Sequence, residues 1–182
     1  ICLCGSRIFI EKSIYEKFKA AFIEKTKTMK VGNPLLDDTK VGAIASKMHF
    51  DKVLSYIDLA KQEGGTILYG GNKIQLDGEN AEGYFMEPTI IEGLAYNCRI
   101  NQEEIFGPVV TLTPFETKEE VLKMANSTQY GLAATIWTEN LNTAHYMAAQ
   151  VKSGIIWINC WLLRDLRTPF GGMKQSGVGR EG

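Results

Sequence analysis

Gly154-Ile155-Ile156-Trp157-Ile158-Asn159 reads as a short β-strand whose four central residues are all apolar. A strand with one wet face alternates apolar and polar residues. An unbroken run needs cover on both faces, which is the situation of a strand in a parallel sheet. Working upstream, Asn140 to Gln150 has the length and pattern of a helix, and Leu132 to Trp137 is a strand before it. Thr117-Lys118-Glu119-Glu120 is a capping box that introduces a helix carrying Val121, Leu122 and Ala125, and Val109-Val110-Thr111-Leu112 is the strand preceding it. Strands separated by helices of about 10–15 residues imply βαβ crossovers. The fold expected is α/β, in three layers, with a mostly parallel sheet and helices on both faces.

The first half is less regular. Arg7-Ile8-Phe9-Ile10 is apolar and β-prone. Ser13-Ile14-Tyr15-Glu16 has the form of a second capping box, with Ser13 as the N-cap of a helix that places Ile14, Phe18, Ala21 and Phe22 near one face. Gly32-Asn33-Pro34 breaks that pattern and opens a polar loop through Asp37-Asp38. A further helix is expected from about Ser46, with Val53, Tyr56, Ile57 and Ala60 turned inward, ending at Gly64-Gly65. Thr66-Ile67-Leu68-Tyr69 is a strand, and the polar, glycine-containing stretch from Gly70 to Gly83 is expected to be an exposed excursion.

The 182 residues suffice for one domain with a real core. Hydrophobic residues make up 45% and charged residues 23%, the balance of a soluble globular protein. Twenty Lys and Arg against 21 Asp and Glu give a net charge of -1, so nothing draws the chain electrostatically to nucleic acid or to an anionic membrane. No apolar run approaches the ~20 residues of a membrane span. The opening Ile1-Cys2-Leu3-Cys4-Gly5 has neither an initiator Met nor the regions of a signal peptide, and the chain is expected to begin inside a longer protein. Cys2, Cys4, Cys98 and Cys160 are few and irregularly spaced, which favours a reducing, cytoplasmic setting over a disulfide scaffold.

Four stretches carry candidate chemistry. In Cys2-Leu3-Cys4-Gly5-Ser6-Arg7, a cysteine in a Gly- and Ser-bearing turn just before a βα unit is a candidate nucleophile, although an isolated cysteine is more often packing. The Cys-x-Cys spacing, with the next cysteine only at Cys98, does not make a metal site. Glu103-Glu104-Ile105-Phe106-Gly107-Pro108 is either a solvated acidic pair followed by a turn, or a carboxylate for sugar hydroxyls beside a ring for a flat heterocycle. Asn159-Cys160-Trp161-Leu162-Leu163-Arg164-Asp165-Leu166-Arg167-Thr168 follows the buried strand, and ligands of parallel sheets bind at the carboxyl ends of strands. A surface pairing of Asp165 with Arg164 or Arg167 is the alternative there. Finally, Pro169-Phe170-Gly171-Gly172 opens a glycine-dense loop in which backbone can approach a substrate. Gly177-x-Gly179-x-x-Gly182 matches the dinucleotide fingerprint only formally, because no strand directly precedes it and no helix follows.

Together these stretches resemble the aldehyde dehydrogenase superfamily over essentially the whole chain and in the family's order. Gly83-Tyr84-Phe85-Met86-Glu87-Pro88-Thr89 and Tyr130-Gly131-Leu132-Ala133-Ala134 are similar as well. The resemblance implies that Cys2, rather than Cys4, is the nucleophile, that Glu104 binds the nicotinamide ribose, that Phe106 packs near the nicotinamide end, and that Asn159 and Phe170 lie close to the acyl pocket. It implies an NAD(P)-dependent aldehyde oxidation through a cysteine thiohemiacetal and thioester, with NAD the expected cofactor and NADP open. The family's upstream general-base Glu, oxyanion-hole Asn and dinucleotide-binding domain have no counterpart here, nor do its C-terminal oligomerisation residues. Residues 1–182 are therefore expected to be the catalytic domain alone, inactive by itself, of a homo-oligomeric parent. Within the superfamily, Trp161 to Phe170 looks like the 2-aminomuconic and 2-hydroxymuconic semialdehyde dehydrogenases. Arg164 stands where enzymes for neutral aldehydes commonly carry an apolar residue, and a guanidinium fork suits a substrate with a distal carboxylate. Two alternatives remain at this point: a broad-specificity or retinal-type dehydrogenase, against which Arg164 speaks, and a non-catalytic structural descendant, against which Cys2, Glu104 and Phe106 together speak.

Overall fold

The computed structural model describes residues 2–182. They fall into two units, Ser6–Pro114 and residues 2–5 with Phe115–Gly182. The first contains β1 (Arg7–Glu11), α1 (Tyr15–Lys27), α2 (Lys47–Gln62), β2 (Thr66–Tyr69), β3 (Lys73–Ile74), β4 (Phe85–Met86), β5 (Thr89–Glu92), α3 (Arg99–Gln102) and β6 (Val109–Phe115). Its main sheet has the order β1-β6-β5-β2. β5 and β6 run parallel, from Thr89 opposite Val109 to Glu92 opposite Leu112, and β2 is antiparallel to β5.

Side-chain alternation along these strands builds three layers. Ile90 of β5 and Leu112 of β6 pack with Ile10 and Tyr15, joined by Phe18 and Phe22 of α1. The neighbouring residues Ile91 and Val109 point the other way, into a cluster with Phe50, Val53, Ile57 and Ala60 of α2 and Ile100 of α3. Val53, Ile57, Ala60 and Ile91 are at most 1% exposed, and each large side chain buried so fully contributes roughly 1.5–3 kcal/mol. One buried polar link crosses this layer: the Thr111 hydroxyl donates to Asn101 Oδ1 at 2.7 Å, and Asn101 Nδ2 donates to the Ala95 carbonyl at 2.9 Å.

The helix expected from Ser46 forms as α2, with the Ser46 hydroxyl accepting from the His49 N–H at 3.2 Å. Ser13 does not cap α1. The Ser13 hydroxyl donates to Glu11 Oε1 at 3.0 Å, residues 12–14 make a 3-10 turn, and α1 starts at Tyr15 with no side-chain cap. Ile14 is consequently 52% exposed, and Tyr15 takes the buried position, donating its hydroxyl to Glu92 Oε2 at 2.7 Å. The stretch from Gly70 to Gly83 is also more than an excursion, because β3 within it pairs antiparallel with β4. Gly70 at its start has φ +75°, and a Cβ there would collide with the Pro88 carbonyl oxygen, so only glycine fits.

The second unit contains α4 (Lys118–Ala125), β7 (Tyr130–Gly131), β8 (Ala133–Ile136), α5 (Leu141–Gln150), β9 (Ile155–Ile158) and β10 (Met173–Lys174). β8, α5 and β9 form the expected crossover, with the two strands parallel from Ala133 opposite Ile155 to Ile136 opposite Ile158. β7 and β10 pair antiparallel. Thr117 caps α4 by accepting from the Glu120 N–H at 3.1 Å, while the Glu120 carboxylate accepts from the Glu116 N–H at 2.7 Å. Asn140 caps α5 by accepting from the Thr143 N–H at 2.9 Å. Val121, Met124, Ala144, Met147 and Trp157 are the buried apolar side chains of this unit. Among the described residues no helix is long and apolar enough to cross a membrane.

Candidate functional site

Within the second unit, the segment leaving β9 is folded by hydrogen bonds between side chains and backbone. Asn159, the first residue beyond the strand, has φ +53°, a left-handed conformation that Asn tolerates better than most residues. Its amide bonds to Thr138 twice: Oδ1 accepts from the Thr138 N–H at 2.9 Å and Nδ2 donates to the Thr138 carbonyl at 2.8 Å. These two bonds tie the start of the segment to Thr138. Trp157 Nε1 donates to the Leu163 carbonyl at 2.9 Å, which draws the segment back over the strand.

Trp161 on this segment reaches the turn that holds the candidate nucleophile. Its Nε1 donates to the Leu3 carbonyl at 3.2 Å. Cys2 stands one residue before that carbonyl, and its side chain is exposed. Cys98 presents the opposite environment, since burial pushes its thiol pKa up and disfavours the thiolate. None of the four cysteines forms a disulfide among the described residues, and no group of three or more His, Cys, Asp or Glu among them could hold a metal ion.

The two arginines of the segment have different surroundings. Arg167 is bound to Asp165, with Nε to Oδ1 at 2.9 Å and Nη2 to Oδ2 at 2.5 Å, and that pairing holds the Asp165 carboxyl below its usual range. Arg164 has no carboxylate partner among the described residues. Its guanidinium lies over the Phe170 ring, 4.1 Å from the centroid. A guanidinium held by its face keeps its edge N–H donors available to a ligand. Phe170 is itself fixed by two backbone hydrogen bonds with Glu181, at 2.7 and 2.8 Å. Gly154 lets this loop pass the start of β9, because a Cβ there would overlap the Gly171 carbonyl oxygen.

In the first unit, the acidic pair divides into two roles. Glu103 is held by Arg99 Nε at 2.7 Å and by the Tyr56 hydroxyl at 2.6 Å, and these bonds, Arg99 foremost, keep its carboxyl below the usual range. Glu104 is exposed, and its carboxylate has no hydrogen bond or ion pair among the described residues. Its backbone carbonyl is held by Lys52 Nζ at 2.9 Å. Phe106 is 55% exposed and has φ +58°, a conformation that costs a non-glycine residue about 1–2 kcal/mol. The Phe106 carbonyl is held by His49 Nε2 at 2.7 Å, and the two rings meet edge-on with centroids 6.1 Å apart.

Sequence reasoning did not single out His49, Lys52, the contact of Tyr56 with Glu103 or the role of Trp161. The three α2 residues do leave a trace, lying one position before the buried residues Phe50, Val53 and Ile57 on α2, but nothing in the sequence says which loop they meet.

The model of the aldehyde dehydrogenase family matches residues 1–182. The chain is 50% identical over 182 residues to 2-aminomuconic 6-semialdehyde dehydrogenase of a Pseudomonas species, covering all of this chain and 37% of that protein. It is 49% identical over 184 residues to 2-aminomuconic semialdehyde dehydrogenase of Bos taurus, covering all of this chain and 38% of the relative. Betaine aldehyde dehydrogenase of Staphylococcus aureus, solved in complex with NAD+, superposes with a TM-score of 0.93 at 42% identity, over all of this chain and 36% of that one. The chain thus spans little more than a third of the length of the proteins it matches. With a family model matched from end to end and a three-layer α/β fold shared with a solved member, this chain belongs to the aldehyde dehydrogenase family.

Proposed function

We propose that these residues are the cysteine-bearing catalytic domain of an NAD-dependent dehydrogenase that oxidises an aldehyde with a distal carboxylate, in the manner of a muconic semialdehyde. The observation that carries the substrate class is Arg164. It is a cation without a carboxylate partner among the described residues, stacked on Phe170, on the segment that follows a parallel strand, while its neighbour Arg167 is occupied by Asp165. The muconic semialdehyde dehydrogenases among the relatives support the same reading.

Cys2 is the proposed nucleophile. Its thiolate sulfur forms a bond to the aldehyde carbon, and the carbonyl π-electrons move to oxygen, where the Cys2 backbone N–H donates a hydrogen bond. The aldehydic C–H bond then breaks with its electron pair leaving as hydride, and the carbonyl re-forms as a thioester. Water adds to the thioester, the C–S bond breaks, and Cys2 departs as thiolate, leaving the carboxylic acid. NAD, when bound, supplies the hydride acceptor. Glu104 and Phe106 suit it: an exposed carboxylate with no hydrogen bond among the described residues can accept from ribose hydroxyls, and an exposed ring can cover a flat heterocycle. Asn159 and Phe170 shape the acyl side, Asn159 through Thr138 and Phe170 as the platform for Arg164.

The base that activates water and the dinucleotide-binding domain are proposed to lie in the remaining length of the parent enzyme, as does the C-terminal segment for homo-oligomer formation. A cytoplasmic location fits four cysteines that form no disulfide among the described residues. The test is NADH formation by the full-length enzyme with a carboxylated semialdehyde and with a neutral aldehyde of equal length. Preference for the carboxylated substrate is expected, and equal or reversed kcat/KM removes the proposed substrate class.

A further inference from the structure

We infer that His49 is a positioning residue for the cofactor loop: by holding the Phe106 carbonyl, it keeps Phe106 and Glu104 presented together. The inference rests on the roles proposed above for those two residues.

The loop from Glu103 to Gly107 follows the short α3 and has no regular structure, and its Phe106 occupies a backbone conformation that a non-glycine residue does not hold unaided. What holds it is a line of side chains on α2 and its C-cap residue, Glu63. His49, Tyr56 and Glu63 recur every seven residues, with Lys52 between them, and all meet the segment from Arg99 to Phe106. The Glu63 carboxylate accepts from the Arg99 and Ile100 N–H groups at 3.3 and 3.4 Å, Tyr56 donates to Glu103, and Lys52 donates to the Glu104 carbonyl. His49 alone of the four reaches Phe106, through both its ring nitrogen and its ring edge.

The anchor itself is rigid. The His49 N–H is bound by the Ser46 cap, and the next turns of α2 present the fully buried Val53 and Ile57 to the core. Gly107, immediately after Phe106, lies so close to Val53 that a Cβ there would approach its methyl groups to 2.8 Å, so the loop has little room to move toward the helix. A carbonyl only accepts, so His49 Nε2 carries the proton, and a charged imidazolium makes the same bond. His49 therefore acts as a donor to the Phe106 carbonyl.

The test uses the full-length enzyme with His49→Leu, which removes the donor, and His49→Gln, whose amide N–H reaches a similar position. Amide hydrogen exchange of residues 103–107 is measured without nucleotide, and KM for NAD and kcat are measured separately. A lost hydrogen bond of ordinary net strength predicts that His49→Leu speeds loop exchange and raises KM for NAD by about 3- to 10-fold each, with kcat within about 2-fold. His49→Gln should restore most of both. Unchanged exchange, unchanged KM, no recovery in His49→Gln, or a fall in melting temperature with matching loss of kcat would each overturn the inference. A Glu104→Gln variant run alongside separates the two levels. If it leaves KM for NAD and hydride transfer intact, the ribose role of Glu104 fails, whereas a nucleotide effect in Glu104→Gln without one in His49→Leu removes His49 alone.

Discussion

Arg164→Ala deletes a guanidinium that is stacked on Phe170 at 4.1 Å and has no carboxylate of its own among the described residues. Asp165 is not a competitor, because Arg167 grips both of its oxygens. A charge-assisted hydrogen bond is worth about 1.5–3 kcal/mol. Arg164 is exposed, so water competes for the contact and the lower half of that range applies, or roughly 10- to 40-fold in kcat/KM. In the full-length enzyme, initial rates of NADH formation should fall by that factor on a carboxylated semialdehyde and by less than about 3-fold on a neutral aldehyde of the same length. Arg164→Lys should recover part of the loss, since an ammonium keeps the charge but not the planar fork. The cation–π contact itself is worth only about 0.5–1 kcal/mol at an exposed site, so the fold should tolerate the change. Equal losses on charged and neutral substrates, or a selective loss in Arg167→Ala instead, would refute the reasoning.

The two adjacent glutamates should separate cleanly. Glu104→Gln is expected to impair hydride transfer with little change in melting temperature, whereas Glu103→Gln, which weakens the Arg99 and Tyr56 contacts, should affect thermal stability more than turnover, with differential scanning fluorimetry and stopped-flow NADH absorbance as the readouts. The isolated 182-residue chain should fold, given its two-sided core, yet form no NADH from aldehyde and NAD, and robust turnover by it would contradict the proposed division of the enzyme.

Much of the architecture was legible because local signals and burial agree. The α2 stripe of Val53, Ile57 and Ala60 at helical spacing is the core stripe found, and Ser46, Thr117 and Asn140 accept the backbone bonds of helix caps. β5 was not singled out, although it lies in the middle of the main sheet. Thr89-Ile90-Ile91-Glu92 is four residues long, follows a proline, and is buried on both faces, so it has no alternation to reveal it. The β3–β4 pairing escaped because two-residue strands are defined by their partner and not by their own pattern. Ser13 failed as a cap since Glu11, two residues away, offers its hydroxyl a carboxylate. Composition and spacing alone do not separate Glu103 from Glu104, and only the family resemblance points to Glu104. They differ only because Tyr56, distant in the chain, and Arg99 meet the first and not the second. The competition between Arg164 and Arg167 for Asp165 was likewise undecidable from spacing, and is resolved by the ring of Phe170.

Central to the proposed function is Cys2, which lies in an exposed turn tied through Leu3 to Trp161. The most direct measurement compares aldehyde-dependent NADH formation by the full-length enzyme carrying Cys2→Ala with the same enzyme carrying Cys4→Ala. Cys2→Ala should abolish turnover while Cys4→Ala retains most of it. A dead Cys4→Ala variant beside an active Cys2→Ala variant would contradict the assignment of the nucleophile.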